Sequence, residues 1–284
     1  FIRDCWYVAG WSGDFTHALT PLRILDEPIV VFRTEAGVPA ALEDACPHRK
    51  LPLSKGRLTG ETVECGYHGL TFDCSGTCVR APTQDGPPPA VIVRSYPVED
   101  RWGILWIWMG DANKANPDKI FEIPNYDYPA WGRTQGGSMD IACHYLYVVD
   151  NLLDPSHVAW VHVSSFAGAG TGNLPLDLEK LDDGIIVSRW VMDAPPPPYY
   201  EPILPFSGNC DRKQHYECRL PSTAINMSVY TRAGTGGDND NLPDDAFLNI
   251  SYNFMTPVDA DNTRYFWFQH RNSDPDNQEI SNRM

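Results

Sequence analysis

Cys46-Pro47-His48 and Cys65-Gly66-Tyr67-His68 each place one sulfur and one imidazole within four residues, with sixteen residues between the two pairs. Thiolates and imidazoles are the principal transition-metal donors among side chains, so four of them at this spacing point to a metal centre rather than to four unrelated core residues. Two chemistries fit. One tetrahedral zinc can take two sulfurs and two nitrogens. Zinc ribbons and fingers, however, usually pair like with like. Each segment here supplies one of each, as a two-iron, two-sulfide cluster requires when two Cys hold one iron and two His the other. Pro47, Gly66 and Gly69 are turn formers and mark both segments as loops.

A second constellation lies downstream, Asp150-Asn151-Leu152-Leu153-Asp154-Pro155-Ser156-His157, followed by His162. Two imidazoles and one carboxylate on one face of an iron(II) ion leave positions open for dioxygen. His157 and His162 are five residues apart, which a straight helix would turn well away from each other. Pro155 cannot sit inside a helix but is welcome at the first position of a new one, with Asp154 as its cap, so a broken helix can bring both rings to one point. Alone, two His and an Asp on a helix are more often surface or capping groups. The upstream donors give them weight.

The elements that must position these donors fall into two groups. Short β-type runs at Pro28–Arg33, Pro39–Leu42, Thr62–Glu64, Leu70–Phe72, Val91–Arg94 and Ile104–Trp108, cut by turn signals, predict a small all-β domain over 1–111. Asp73 to Thr77, between Cys74 and Cys78, reads as a hairpin turn. The stretch from Asp111 to Trp131 is rich in Asn, Asp and Pro and reads as a connection. Beyond it, Tyr145–Val163 has the only sustained helical pattern, and strands are expected at Ile185–Met192, Ala224–Thr231, Leu248–Phe254 and Arg264–His270. The second domain, 112–284, is therefore expected to be an antiparallel sheet with packed helix, an α+β architecture. Pro195–Pro198 reads as stiff and extended, and Gly234–Asp245 as a polar loop.

The chain's 284 residues carry 37 Asp and Glu against 22 Lys and Arg, a formal net charge of −15, which opposes binding to nucleic acid or an anionic membrane but could receive a basic protein partner. Apolar stretches such as Ile104–Met109 are too short to cross a bilayer, and the opening FIRDCWYVAGW lacks the pattern of a secretory signal. Eight cysteines are too few in a chain of this length to replace a core. A reducing, cytoplasmic location is expected.

The CPHR and CxYHG writing of the two loops resembles Rieske proteins. Respiratory Rieske proteins carry two further cysteines where this chain has Lys50 and Tyr67, so the resemblance is to the soluble branch. The stretches WYVAGW, PHRKLPLSKG, YHGLTFD and DRWGILWIW, with DNLLDPSHVAWVH, are similar to the vanillate O-demethylase and dicamba monooxygenase group of Rieske non-haem iron oxygenases. That resemblance implies a 2Fe-2S cluster on Cys46, His48, Cys65 and His68, and mononuclear Fe(II) on His157 and His162. It implies a helix-grip-like catalytic domain. It also implies that Asp154 is a bridge, hydrogen-bonding His157 in its own subunit and His68 of a neighbouring one within a head-to-tail homotrimer. The family's third iron ligand, a carboxylate on a later helix, is expected beyond Met284, since Asp274, Asp276 and Glu279 lie in a stretch that reads as a turn. Electrons would come from NADH through a separate flavin and iron-sulfur reductase, and dioxygen would oxidise a small aromatic substrate, by O-demethylation or hydroxylation. Asn151 and Trp267 are candidate substrate contacts, with Tyr145, Trp160, Asn253, Phe268 and His270 as further ones, although aromatics at such positions are more often core. The rival readings are a ring-hydroxylating dioxygenase of the same family and a non-catalytic iron-sulfur or zinc protein.

Overall fold

The computed structural model describes residues 1–86, 90–162, 164–166, 171–238 and 241–284. It divides into two compact units. One comprises 1–122, 141–144 and 256–264; the other comprises 123–140, 145–255 and 265–284. The chain therefore crosses between them several times, in a way that no single cut in the sequence describes.

The first unit is built from eleven short strands: β1 (Cys5–Trp11), β2 (Thr20–Ile24), β3 (Glu27–Arg33), β4 (Pro39–Glu43), β5 (Arg57–Thr59), β6 (Thr62–Glu64), β7 (Thr71–Phe72), β8 (Cys78–Arg80), β9 (Ser95–Tyr96), β10 (Val98–Arg101) and β11 (Ile104–Met109). They form three antiparallel sheets, ordered β1-β11-β10, β2-β3-β4-β9 and β5-β6-β7-β8. The expected all-β character holds, but Val91–Arg94 makes only an isolated bridge, Thr77 to Ile92, and the regular pairing falls on β9. The Asp73–Thr77 turn is present, with Asp73 N–H donating to Thr77 O at 3.0 Å and Asp73 Oδ1 accepting from the N–H groups of Ser75 and Thr77. One core cluster gathers Val30, Phe32, Leu42, Leu53, Val63 and Phe72 around the sulfurs of Cys46 and Cys65.

The second unit is an antiparallel sheet of eight strands with short helices, as expected. After β12 (Gly132–Arg133), β13 (Gly137–Ile141), α1 (Tyr145–Leu153) and α2 (Val158–Val161) come β14 (Asp177–Leu181), β15 (Gly184–Ala194), β16 (Cys210–Arg219), β17 (Thr223–Arg232), β18 (Phe247–Pro257), β19 (Thr263–Arg271) and α3 (Gln278–Arg283). The order is β12-β19-β18-β17-β16-β15-β14, with β13 also on β19. The helix anticipated over Tyr145–Val163 is two helices with an interruption at 154–157, and Val163 lies outside the described residues, as do Asn239 and Asp240 of the anticipated loop. Asp274 and Asp276 precede α3 in irregular chain, whereas Glu279 is on α3, capped by the Asn277 side chain accepting from Ile280 N–H. Helix α1 packs Tyr145 and Val149 against Ala224 of β17 and Met255 of β18, with Cys218 and Tyr265 at the margin. Among the described residues no helix is long and apolar enough to cross a membrane.

On the other face of β19, His270 is 1% exposed and neither ring nitrogen has a hydrogen-bond partner among the described residues; its ring lies 4.7 Å from that of Trp131. Burial, reinforced by Arg133 and Arg271, lowers its pKa from 6.5 to about 4. The unfolded chain takes up this proton first as pH falls, so stability is lost between about pH 6.5 and pH 4, by an amount on the order of 3 kcal/mol. His270→Phe is expected to flatten this part of the melting temperature against pH curve, measured by calorimetry from pH 4 to 7; an unchanged slope would place the acid sensitivity elsewhere.

Candidate metal centres and their supports

The two Cys–His loops are built on the same backbone pattern. Cys46 N–H donates to Leu51 O at 2.9 Å and Lys50 N–H to Cys46 O at 2.8 Å; Cys65 N–H donates to Leu70 O at 2.8 Å and Gly69 N–H to Cys65 O at 3.0 Å. In both, the residue four beyond the Cys has positive φ, Lys50 at 58° and Gly69 at 71°. Glycine takes this conformation freely and lysine does not, so the first loop stores strain that its surroundings hold. One restraint is visible: the buried Asp44 carboxylate accepts from Ser54 N–H at 2.7 Å and Ser54 Oγ at 2.6 Å, tying the start of the loop to the turn after it. In the second loop, a Cβ on Gly66 would lie 2.9 Å from Lys55 O, so the two loop regions approach as closely as only glycine allows.

This arrangement sorts the donors by element. Cys46 and Cys65 are each 2% exposed and face each other, while the rings of His48 and His68 lie at the surface, 4.6 Å apart between centroids. Tyr67, 59% exposed, lies against His68 at 4.0 Å. Between the loops is a narrow gap lined by the four donors with Arg49, Leu51, Tyr67 and Leu70. Burial pushes the Cys46 thiol up, and the adjacent Cys65 sulfur adds to it; a cation displaces that proton when thiolate ligation replaces the S–H. The sulfur pair and the nitrogen pair, on opposite sides of one space, fit a cluster with a sulfur-bound and a nitrogen-bound iron. Among the described residues no three His, Cys, Asp or Glu side chains gather as a ready single-ion site.

At the second constellation, α1 ends at Leu153 and α2 begins only at Val158, three residues later than a helix capped by Asp154 and opened by Pro155 would begin. Asp154 instead caps a turn: its Oδ1 accepts from Ser156 N–H at 2.7 Å and Ser156 Oγ at 2.5 Å. Its Oδ2 is 3.3 Å from His157 Nδ1, in electrostatic contact but not aligned as a hydrogen bond, so that this buried Nδ1 has no hydrogen-bond partner among the described residues. Burial raises the Asp154 pKa, but the Ser156 donors and His157 outweigh it and hold the carboxyl below its ordinary value. The break brings the rings of His157 and His162 to 5.3 Å between centroids. Burial, with His157 beside it, lowers the His162 pKa, which favours the neutral ring that metal ligation needs.

Two side chains of the sheet hold this break. Asn226 Nδ2 donates to Leu152 O at 2.8 Å, fastening the end of α1. Arg189, 3% exposed, donates from Nη2 to Pro155 O at 3.2 Å, from Nη1 to Thr171 O at 2.6 Å and from Nε to Gln214 Oε1 at 2.7 Å. Neither residue carries a sequence signal, because each reaches a backbone carbonyl far away in the chain. Of the candidate substrate contacts, Asn151 is exposed on α1 and Trp160 is 80% exposed, while Tyr145 is core. Trp267 is half-buried and stacks on Tyr265, whose hydroxyl donates to Asn253 Oδ1 at 2.6 Å. Phe268 lies on the opposite face of β19, stacked on Tyr252, with His270.

Comparison with known proteins agrees with this architecture. Residues 5–97 match the Rieske 2Fe-2S domain family and residues 141–284 the vanillate O-demethylase oxygenase C-terminal domain family. The chain is 35% identical to the iron-sulfur subunit of the toluene-4-sulfonate monooxygenase system of Comamonas testosteroni, covering 100% of this chain and 83% of that protein. It is 33% identical to a vanillate O-demethylase oxygenase subunit of a Pseudomonas strain, over 99% of this chain and 80% of the relative. The crystal structure of dicamba monooxygenase bound to 3,6-dichlorosalicylic acid superposes with a TM-score of 0.90 at 30% identity, covering 100% of this chain and 82% of that one. A Rieske domain joined to this C-terminal domain defines the class, an iron-sulfur oxidoreductase. Within it, the chain belongs to the vanillate O-demethylase family of Rieske monooxygenase oxygenase components.

Arg189→Met is expected to lower stability by about 2 kcal/mol, because three buried acceptors lose their donor, and to lower the iron bound per cluster sulfide, the result expected of a helix break that supports a metal site. Denaturant melts and iron-to-sulfide analysis check both, with an unaltered cluster spectrum showing that the first unit is intact.

Proposed function

We infer that this chain is the terminal oxygenase of a multicomponent system that demethylates, or hydroxylates, a small aromatic substrate. The observation that carries this reading is the sorting of donors in the first unit, buried sulfurs facing each other and surface imidazoles facing each other, in one chain with a histidine pair at a helix break. Cys46, Cys65, His48 and His68 hold the 2Fe-2S cluster, and His157 and His162 bind ferrous iron. When bound, the cluster would supply single electrons and the iron would activate dioxygen, so that one oxygen atom enters a methyl C–H bond, the other leaves as water with two electrons and two protons, and the O-methyl group departs as formaldehyde. The names of the relatives, acting on vanillate, dicamba and toluene-4-sulfonate, support a small aromatic substrate.

The protein's own residues supply position. The two matched loops fix the donors, and Arg189 and Asn226 fix the break. Asp154 orients His157 through the Oδ2 to Nδ1 contact, and its half-exposed carboxylate is available to accept from His68 of a neighbouring subunit in a homotrimer. The acidic surface suits a reductase with a basic docking face, which would pass on electrons from NADH. The six cysteines outside the cluster loops, none of them in a disulfide among the described residues, suit a reducing cytoplasm.

Purified protein is expected to be brown and, once reduced, to give the low average g value of a histidine-ligated cluster in electron paramagnetic resonance; a colourless, zinc-containing protein would overturn the reading. With NADH and a reductase, oxygen uptake should accompany release of formaldehyde from a methoxylated ring, whereas a cis-diol product would mark ring dihydroxylation. Asp154→Asn is expected to retain both metals and lose turnover by ~10- to 100-fold; full activity would remove Asp154 from its positioning role.

A further inference from the structure

Inside the second unit is a cation that the oxygenase reading does not use. Arg212 of β16 is 1% exposed, and its Nε, Nη1 and Nη2 are all buried without a hydrogen-bond partner among the described residues. An unpaired guanidinium in a protein interior costs several kcal/mol, so the fold retains something that destabilises it. The adjacent carboxylate does not relieve it. Asp211 points to the other face of the strand, where it accepts from the N–H groups of Asp193, Gly234 and Gly236. The charged neighbour that Arg212 does feel is another cation, Arg189, whose pKa burial lowers, with Arg212 adding to the effect.

Strand register places Arg212 relative to the helix break. Directly paired residues share a face, so Tyr216, Asn226 and Ser251 form one row, Arg189, Gln214, Ser228 and Asn249 the next, and Val191, Arg212, Tyr230 and Phe247 the one after. Each step is about 7 Å along the strands. The first row holds Leu152 through Asn226, and the second holds Pro155 through Arg189. Arg212 thus lies one row past the interruption that carries His157, on the face of the sheet that α1 covers. Around it the groups are aromatic and neutral: Tyr200 and Tyr230 have ring centroids 4.6 Å apart, and Tyr200 is 6.2 Å from Phe247. Asn249 Nδ2 donates to the Tyr200 hydroxyl at 3.0 Å, leaving Asn249 Oδ1 buried and unpartnered.

The geometry points to Arg212 as the counter-charge for an oxyanion on the aromatic substrate, a carboxylate or a sulfonate, making it a specificity-determining residue of the oxygenase. A planar guanidinium presents paired N–H donors that match two oxygens of either group. This deepens the oxygenase reading and rests on it.

The test measures binding rather than turnover. Iron-loaded protein is titrated by calorimetry with 4-methoxybenzoate, 4-toluenesulfonate and the neutral 4-methoxybenzamide, for wild type, Arg212→Gln and Arg212→Lys. Wild type should bind at least one anion more tightly than the amide, and whichever anion is preferred identifies the group. Arg212→Gln should weaken the anions by 10- to 100-fold and the amide by less than about threefold. Arg212→Lys, which keeps the charge, should fall between. The ligand-free melting temperature of Arg212→Gln should not drop, since an unpaired buried charge has been removed; a large drop would identify a structural role instead. If neither anion binds wild type better than the amide, or if the substitutions leave that ratio unchanged, the assignment fails. Arg212-dependent anion binding without any reductase-coupled oxygen uptake would instead overturn the oxygenase reading alone.

Discussion

Pro155 cannot continue a helix, and the interruption it forces is the constraint around which the second unit is arranged. A proline nitrogen has no hydrogen to donate and its ring collides with the preceding turn, so α1 must stop and α2 must start afresh at Val158. The free carbonyls left at such an end need donors. Two come from the sheet, Asn226 to Leu152 and Arg189 to Pro155, and the Asp154 carboxylate satisfies the donors of Ser156. With the backbone held, two histidines that an unbroken helix would separate face one another.

Holding the break with a guanidinium has a consequence. Arg189 is buried among acceptors that are backbone or amide oxygens, so its hydrogen bonds are satisfied while its charge is not neutralised. Arg212, one row further, is neither. The strand that carries it thus presents Arg212 and Gln214 inward, where a purely structural strand of this kind would present Val or Ile. Polarity at those positions lowers stability, and its use is recognition, since a dry cationic site discriminates strongly between charged and neutral ligands.

The first unit solves a different problem. Thiolates need burial to be protected and to share electron density with a metal, whereas imidazoles serve at a rim. Two loops with the same hydrogen-bond pattern each deliver one sulfur and one nitrogen, so the sulfurs fall together on the core and the nitrogens together at the surface. A groove of about 300 Å³ bounded by His48, His68, Ala81 and Val91 lies beside the imidazole edge.

The sequence alone was enough for the class of protein. The paired loops, the proline-broken histidine string, the small β-domain and the antiparallel sheet were all legible, because each depends on residues close together in the chain or on a strong alternation of apolar side chains. Strand β16 was not legible, since its inward face carries Arg212 and Gln214 and its hydrophobic period is masked; β1 was read as motif and not as strand. Asp154 and Pro155 form a good local cap, so the sequence by itself restarts the helix three residues before α2 begins, and only the pull of Arg189 on Pro155 shows why the turn persists. Which residues support the iron motif, and that a cation lies unpaired beyond it, depended on contacts between strands far apart in sequence. Those are decided by sheet register, and register is a property of the folded sheet, not of any one segment.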